Sequence, residues 1–225
     1  MSTKNTNRSR PHQVILVDPH PIVVEALTER LHATNQFEVV ASLGDSDRAF
    51  FEILERQPDL VIMEIELPGR GATAVAEHIQ SRLPATRLAF LTNYITDVFL
   101  DLALKIGVAG YALKTDPTNR IINGCLSIIN GDQYFSERVL ERLEYSPETG
   151  EYQVKSQSYL STLTLRQLQV LRHLVRGESV KEVAKTMTLS ERAIESHKYR
   201  IMQKLGIHDR VELARFAIRE GLMPA

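Results

Sequence analysis

The segment 177–197, with the sequence GESVKEVAKTMTLSERAIESH, decides the fold of the C-terminal part of the chain. Ser179 stands three residues before Glu182, the spacing of a capping box, which marks the start of a helix. Ser190 is an N-cap residue for the next helix, and only two residues separate it from the end of the previous one. Two helices joined by so short a connection predict a helix-turn-helix.

Two further helices are predicted around this pair. Thr164 and Gln167 form a second capping box, Gly177 suits the end of the helix that follows them, and Asp209 is a good cap for the last helix. The C-terminal domain is therefore predicted to be all-α with four helices, at about 165–176, 180–187, 191–205 and 210–220.

The third of these helices has two different faces when it is projected at about 100° per residue. Ile194, Ile201 and Leu205 share the face expected to pack inside the domain. The opposite face is polar and suits a DNA major groove, because Arg can bond guanine, Gln can bond adenine, and Ser and Tyr reach bases or phosphates. A solvated helix face is the alternative. The predicted DNA-binding residues, including lysines that would attract phosphate, are Lys181, Arg192, Glu195, Ser196, Lys198, Tyr199, Arg200, Gln203 and Lys204.

Charge is divided unequally along the chain, whose formal net charge is −1. Residues 160–225 carry 12 Lys and Arg against 7 Asp and Glu, whereas residues 11–159 carry 12 against 21. A basic module joined to an acidic body is typical of a nucleic-acid reader carried by another domain, with ordinary charge scatter as the alternative.

Composition also limits the compartment and the cofactors. No apolar run approaches the roughly 20 residues that span a bilayer, so no membrane association is expected. Cys125 is the single cysteine, which excludes an internal disulfide and offers no metal-binding spacing. We therefore expect a cytoplasmic protein with no metal and no cofactor.

Residues 13–130 alternate between short β-branched runs and helical stretches. Five strands alternating with five helices predict an α/β domain with a parallel sheet covered on both faces. Reactive groups in such sheets lie beyond the carboxyl ends of the strands, where this chain has Asp18, Glu64, Thr92 and Lys114. The predicted strands are 13–17, 37–41, 60–63, 87–91 and 109–113, and the predicted helices are 21–32, 45–56, 72–82, 96–106 and 117–130.

The predicted domain plan has four parts. Residues 1–11 are polar and basic and are expected to form a disordered tail, not a secretory signal. A domain follows over 12–144 and ends in a short helix, 136–143. Ser, Pro, Gly, Gln and Glu without apolar periodicity predict a linker over 145–159, before the C-terminal domain at 160–225.

The C-terminal motifs resemble the LuxR-type helix-turn-helix. The resemblance rests on LTLRQLQVL at 163–171, GESVKEVA at 177–184, LSERAIESH at 189–197 and KLG at 204–206. Gln167 and Ala193 depart from the usual Glu and Thr of the family. The resemblance implies base reading by Glu195, Ser196 and Tyr199, and a homodimer that reads an inverted repeat in double-stranded DNA. It also implies a dimerisation helix that exposes Glu212, Arg215, Phe216 and Arg219.

The N-terminal domain resembles the receiver domain of response regulators of the NarL/FixJ branch, over about residues 12–131. The matching motifs are VDPHP at 17–21, PDLVIME at 58–64, LPG at 67–69, LT at 91–92 and GYALK at 110–114. The resemblance implies a flavodoxin-like, five-stranded parallel sheet. It also implies a site in which an Asp accepts a phosphoryl group, an acidic pair holds Mg²⁺, and a Thr or Ser and a Lys bind phosphoryl oxygens.

This chain departs from that site at two positions, since Glu64 replaces the accepting Asp and Pro19 replaces one acid of the pair. The extra methylene of Glu moves the carboxylate oxygens by about 1.5 Å, and a misplacement of about 1 Å can cost a hundredfold in rate. We therefore predict no phosphoryl uptake by the usual route, and no requirement for a cognate kinase. The residues of this degenerate phosphorylation site are Asp18, Pro19, Glu64, Thr92, Tyr111 and Lys114.

Three interpretations of Glu64 stay open: it mimics the phosphorylated state by contacting Lys114 and Thr92, it belongs to a retired site, or it is itself phosphorylated or binds a small ligand. The predicted function is a phosphorylation-independent, DNA-binding transcriptional regulator that contacts RNA polymerase. A phosphorylation-switched regulator and a protein-interaction adaptor are the alternatives. No nucleophile-base-orienter set is present in the sequence, so no catalytic residue and no enzymatic activity are expected.

Overall fold

The computed structural model describes residues 10–155, 159–220 and 222. The predicted tail therefore lies, apart from residues 10 and 11, outside the described residues. No helix in the described part of the chain is both long enough and apolar enough to cross a bilayer.

The N-terminal domain contains a parallel sheet with the strand order β2-β1-β3-β4-β5-β6. The five predicted strands are confirmed, but the five-stranded sheet is wrong by one strand. The additional strand, β6, has only two residues and pairs with β5, so it shows no periodicity in the sequence. The strands are β1 His12–Val17, β2 Phe37–Leu43, β3 Leu60–Met63, β4 Arg87–Thr92, β5 Gly110–Leu113 and β6 Tyr134–Phe135.

Helices cover both faces of this sheet and enclose two hydrophobic clusters. One cluster contains Leu27 and Ile121 from the helices of one face, and the other contains Ile53 and Val75 from the helices of the opposite face. Local signals fix the ends of these helices. At Asp45, for example, the side chain accepts a hydrogen bond from the backbone N of Arg48, in the first turn of the helix that begins at Ser46. The helices are α1 Pro21–His32, α2 Ser46–Arg56, α3 Ala72–Arg82, α4 Asp97–Ile106 and α5 Thr118–Ile129.

The segment between the two domains is more ordered than the sequence predicted. The short helix, α6, spans only Glu137–Leu140, and an antiparallel hairpin follows, formed by β7 at Leu143–Ser146 and β8 at Glu151–Val154. The predicted helix 136–143 is therefore too long, and residues 145–154 of the predicted linker 145–159 belong to a hairpin, whereas residues 156–158 of that linker lie outside the described residues. Tyr152 of β8 anchors the hairpin, because its ring packs against that of Phe135 with 5.1 Å between the two ring centroids.

The C-terminal domain consists of the four predicted helices, α7 Leu165–Val175, α8 Val180–Thr186, α9 Glu191–Leu205 and α10 Arg210–Arg219. Both predicted capping boxes and the caps at Ser190 and Asp209 are confirmed. Ile194 and Ile201 of α9 are fully buried, as the helical projection predicts.

The two domains share one hydrophobic core. Val98 and Phe99 of α4 belong to the same cluster of buried residues as Leu160, Leu163 and Leu168 of the C-terminal domain. A 3₁₀ turn, Tyr159–Thr162, connects the domains and packs on α4. The C-terminal domain is thus docked on the receiver through the face that carries α4.

Candidate nucleic-acid interface and receiver site

The predicted residues of the receiver site meet at the carboxyl ends of the strands. Lys114 follows β5, and its Nζ lies 2.7 Å from Oδ2 of Asp18 and 2.7 Å from Oε2 of Glu64. Glu64 is 3% exposed and Asp18 is 7% exposed. Because burial strengthens electrostatic interactions, this ion-paired group is a tightly held unit and not a loose surface cluster.

The second carboxylate oxygen of Glu64 accepts three hydrogen bonds. The donors are Oγ1 of Thr92 at 2.5 Å, the backbone N of Ile65 at 2.6 Å and the backbone N of Glu66 at 3.1 Å. Both oxygens of this buried carboxylate are therefore satisfied, one by the ammonium of Lys114 and one by neutral donors.

Lys114 stays protonated in this setting. Burial lowers the pKa of its ammonium, but hydrogen bonds and charge attraction from Asp18 and Glu64 outweigh burial and raise the pKa above its ordinary value. His20 lies beside the pair, with Nδ1 2.8 Å from Oδ1 of Asp18 and 3.3 Å from Nζ of Lys114. His20 is the N-cap residue of α1, but its side chain makes no capping hydrogen bond to that helix and contacts this site instead.

The residues at this position do not fit Mg²⁺, the ion that the family places here. Mg²⁺ requires nearly octahedral oxygen ligands, but Pro19 offers no carboxylate and the ammonium of Lys114 lies between the two that remain. Over the ranges that the structure describes, no group of three or more His, Cys, Asp or Glu residues could hold a metal ion. The ammonium of Lys114, and not a metal ion, supplies the positive charge between the two carboxylates.

Tyr111 points into the domain and is fully buried. Its hydroxyl donates to the carbonyl oxygen of Tyr94 at 2.7 Å, and the backbone N of Tyr94 lies 3.4 Å from Oγ1 of Thr92. Burial, followed by the negative charge of Glu64, raises the pKa of the Tyr111 hydroxyl well above its ordinary value. The loop after β4 is thus bonded to both Thr92 and Tyr111.

The polar face of α9 points into solvent while the domains are docked. Tyr199 is 64% exposed, and its hydroxyl accepts from Nε2 of Gln203 at 2.9 Å. Lys198 is half-buried and lies 3.4 Å from Oε2 of Glu195. The predicted DNA-binding residues that the structure places at exposed positions are Lys181, Arg192, Glu195, Ser196, Tyr199, Arg200, Gln203 and Lys204.

The side chains of Lys204 and His197, both on α9, interact with other residues of their own domain. Nζ of Lys204 donates to the carbonyl oxygen of Thr162 at 2.7 Å and lies 3.1 Å from Oε1 of Gln167. His197 is half-buried, and its pKa is lowered first by burial and then by the charges of Arg166 and Arg200. The ammonium of Lys204 is therefore directed toward its own domain, whereas the side chains of Arg192 and Arg200 are exposed.

The predicted dimerisation helix, α10, requires one correction. Phe216 was expected to be exposed, but it is only 7% exposed because this side of α10 packs against α7. The exposed apolar residues of α10 are instead Val211, at 62%, and Ile218, at 37%. Glu212, Arg215 and Arg219 are exposed as predicted.

Known protein families match both domains. The receiver domain family of response regulators matches residues 14–124, and the family described as bacterial regulatory proteins of the luxR family matches residues 161–217. The Fimbriae Z protein of Salmonella typhimurium is 33% identical over 217 residues, which cover 95% of this chain and 100% of that protein. The oxygen regulatory protein NreC of Staphylococcus carnosus is 28% identical over 214 residues, which cover 94% of this chain and 99% of that protein.

Solved structures share the two-domain fold. A structure of the response regulator RcsB from Salmonella typhimurium matches with a TM-score of 0.66 at 22% identity, covering 92% of this chain and 97% of that chain. RcsB from Salmonella enterica serovar Typhimurium bound to the promoter rprA matches with a TM-score of 0.63 at 24% identity, covering 92% of this chain and 98% of that chain.

Three features together define a DNA-binding response regulator. They are the flavodoxin-like sheet, the group of Asp18, Glu64, Thr92 and Lys114 at the carboxyl ends of its strands, and the helix-turn-helix. Within that class, the chain belongs to the NarL/FixJ-type family, in which a receiver precedes a LuxR-type helix-turn-helix domain.

Proposed function

We propose that this response regulator binds DNA as a homodimer and regulates transcription without being phosphorylated. The observation that carries the proposal is the position of the Glu64 carboxylate. It accepts from Oγ1 of Thr92 at 2.5 Å and pairs with Nζ of Lys114 at 2.7 Å. In the family, the residues at these two positions bind the oxygens of a phosphoryl group.

The longer side chain of Glu accounts for this arrangement. Its extra methylene carries a negative charge toward the place that a phosphoryl group on Asp would take, where charge-assisted hydrogen bonds are strong. A retired site would require only the ion pair with Lys114. The hydrogen bonds to Thr92 and to the backbone of the following loop, and the inward position of Tyr111, support a mimic of the phosphorylated state.

Chemistry at Glu64 is disfavoured for the same reason. A carboxylate that attacks a phosphoryl group must present a free oxygen, but both oxygens of Glu64 already have partners. Mg²⁺ would normally neutralise the charge that accumulates during transfer, and the residues present do not fit that ion. The receiver is therefore proposed to act in one fixed state.

The proposed DNA surface is the exposed polar face of α9. Arg192, Tyr199 and Arg200 are exposed in the docked arrangement, so no domain movement is needed to present them. RcsB has been solved as two dimers bound to two parallel DNAs, which supports both DNA binding and dimerisation for this chain. The exposed apolar residues Val211 and Ile218 make α10 the proposed dimer contact, with a two-fold axis that suits an inverted repeat.

Selection from random DNA with the unphosphorylated protein, followed by mobility shifts at moderate salt, tests this proposal. We expect an enriched inverted repeat whose affinity is the same before and after incubation with a small phosphodonor and Mg²⁺. Intact mass measurement after that incubation should show no phosphoryl adduct.

The matched variant carries Glu64→Asp together with Pro19→Asp, which restores both missing features of a receiver site. We expect this variant to form the adduct that the native protein does not form. A stable adduct on the native chain, DNA binding that appears only after phosphorylation, or absence of DNA binding would each overturn the proposal.

A further inference from the structure

Arg172 of α7 stands at the centre of the contact between the two domains. Its side chain is 6% exposed and forms an ion pair with Oε1 of Glu66, in the loop after β3 of the receiver. Its guanidinium group also lies 3.8 Å from the centre of the Tyr94 ring, in the loop after β4. We call Arg172, Glu66 and Tyr94 the latch.

A second polar contact lies close to the latch. Nη2 of Arg166 donates to the carbonyl oxygen of Gly69 at 2.9 Å and to that of Met187 at 3.0 Å. This guanidinium group therefore connects a receiver loop to the turn of the helix-turn-helix. The docked domain is held by side chains of α7, which leaves the recognition surface of α9 free.

Both receiver residues of the latch are bonded to the Glu64 site through their own backbone. The N–H of Glu66 donates to Oε1 of Glu64 at 3.1 Å, and the N–H of Tyr94 lies 3.4 Å from Oγ1 of Thr92. Oγ1 of Thr92 donates in turn to Oε1 of Glu64 at 2.5 Å. One carboxylate oxygen of Glu64 thus fixes both loops that receive Arg172.

The burial of Arg172 makes docking sensitive to those loops. A buried charge is costly unless its partner is well placed, and removing one partner of a buried pair is strongly destabilising. Among the described residues, Nε of Arg172 is buried without a hydrogen-bond partner, so its ion pair with Glu66 is especially important for this side chain. If the loop that carries Glu66 moved away, Arg172 would be buried without its ion-pair partner. Undocking would then be favoured, because it would let water solvate the guanidinium group.

We infer that Arg172 transmits the state of the Glu64 site to the docking of the DNA-binding domain. The domain stays docked because Glu64 holds Glu66 and Tyr94 in the position that Arg172 needs. The inference rests on the proposed function, in which Glu64 fixes the receiver in one state. It adds the physical connection through which that state reaches the DNA-binding domain.

Hydrogen exchange on the full-length protein, without DNA and without a phosphodonor, tests the inference. The readout is the exchange rate of amides in α4 and in the turn Tyr159–Thr162, which pack on each other across the domain contact. We expect Arg172→Ala, Glu66→Gln and Glu64→Ala each to accelerate this exchange on the order of 10-fold to 100-fold. Amides of β1 and β3 should remain protected, which shows that the receiver is still folded.

Arg176→Ala is the matched control, because Arg176 is exposed at the C-terminal end of the same helix. It should leave the exchange rates unchanged. Reversal of the ion pair, with Glu66→Arg and Arg172→Glu in one chain, should restore protection that either single change removes. This rescue would not occur if the residues only filled space.

Two outcomes overturn the inference. One is native protection at the domain contact in Arg172→Ala, and the other is native protection in Glu64→Ala when Arg172→Ala has lost it. These results are separate from failure of the proposed function, which appears as a phosphoryl adduct on the native chain or as absence of DNA binding.

Discussion

Glu64→Gln removes one buried negative charge and leaves the shape of the side chain almost unchanged. The carbonyl oxygen of Gln can still accept from Thr92 and from the backbone of Ile65. Its amide group, however, would replace Oε2, which now lies 2.7 Å from Nζ of Lys114. Two donors would then face each other, so Lys114 loses one of its two carboxylate partners.

The cost follows from what remains around Lys114. Its side chain is 8% exposed, which limits the access of water to the lost position, and Oδ2 of Asp18 stays at 2.7 Å. The penalty is therefore below the roughly 3–5 kcal/mol of a buried charge left wholly unpaired. Loss of one buried, charge-assisted hydrogen bond is worth about 1.5–3 kcal/mol, so we expect the free energy of unfolding to fall by about 2 kcal/mol.

Urea unfolding monitored by circular dichroism measures this change. With an unchanged m-value of about 2 kcal/mol per molar, the midpoint should fall by roughly 1 M. Glu25→Gln, at an exposed position of α1, is the control and should stay within about 0.5 kcal/mol of the native protein. An unchanged or higher midpoint for Glu64→Gln would refute the reasoning, because Glu64 would then not be held by Lys114 in solution. Reduced DNA affinity in the same variant supports the mimic over the retired site, for which stability alone should change.

Four further substitutions or reactions have expected outcomes. Arg200→Ala should weaken binding to the selected DNA by the roughly 1–3 kcal/mol of a base contact, measured by fluorescence anisotropy, and an unchanged affinity would exclude Arg200 from the interface. Lys181→Ala should lower the slope of log affinity against log salt by about 1 without changing the selected motif. Burial raises the pKa of the Cys125 thiol to about 12, so at pH 8 iodoacetamide should label it only after unfolding, and rapid labelling of the native protein would contradict this. Gly124→Ala places a Cβ 2.4 Å from the ring of Tyr134. This overpacking should lower the free energy of unfolding by about 1–3 kcal/mol, which exceeds the helix-propensity gain of about 1 kcal/mol, so the melting temperature should fall.

Local signals explain why most of the fold could be predicted from the sequence. The caps at Thr164, Ser179 and Ser190 act within one turn of helix, so the sequence alone locates the helix starts. β6 could not be found in this way, because a two-residue strand exists only through pairing such as that of Tyr134 with Gly110. The hairpin had a weak signal in the sequence, the alternation of polar and apolar residues over Glu151–Val154, which corresponds to the alternating exposure of β8.

The site was predictable where topology dictates it and unpredictable where distant segments meet. The carboxyl ends of parallel strands converge, so the strand pattern of the sequence is enough to group Glu64, Thr92 and Lys114. Arg172 and Glu66 are 106 residues apart, and neither residue carries a local sign of the other. The exposure of Phe216 was predicted from the resemblance to the family's dimerisation helix, which does not show which side chains of α10 pack on α7.

The two departures from the usual receiver site make physical sense together. Without Mg²⁺, an acid at position 19 would add a third carboxylate next to Asp18 and Glu64, with the single ammonium of Lys114 to neutralise them. Like charges held close together in a buried site disfavour ionisation and weaken the unit. Pro19 removes that third charge, and His20 supplies a ring nitrogen 2.8 Å from Asp18. The loss of the metal ligand is thus the condition under which the longer acid at position 64 can be held by Lys114, with Thr92 and the backbone satisfying its second oxygen.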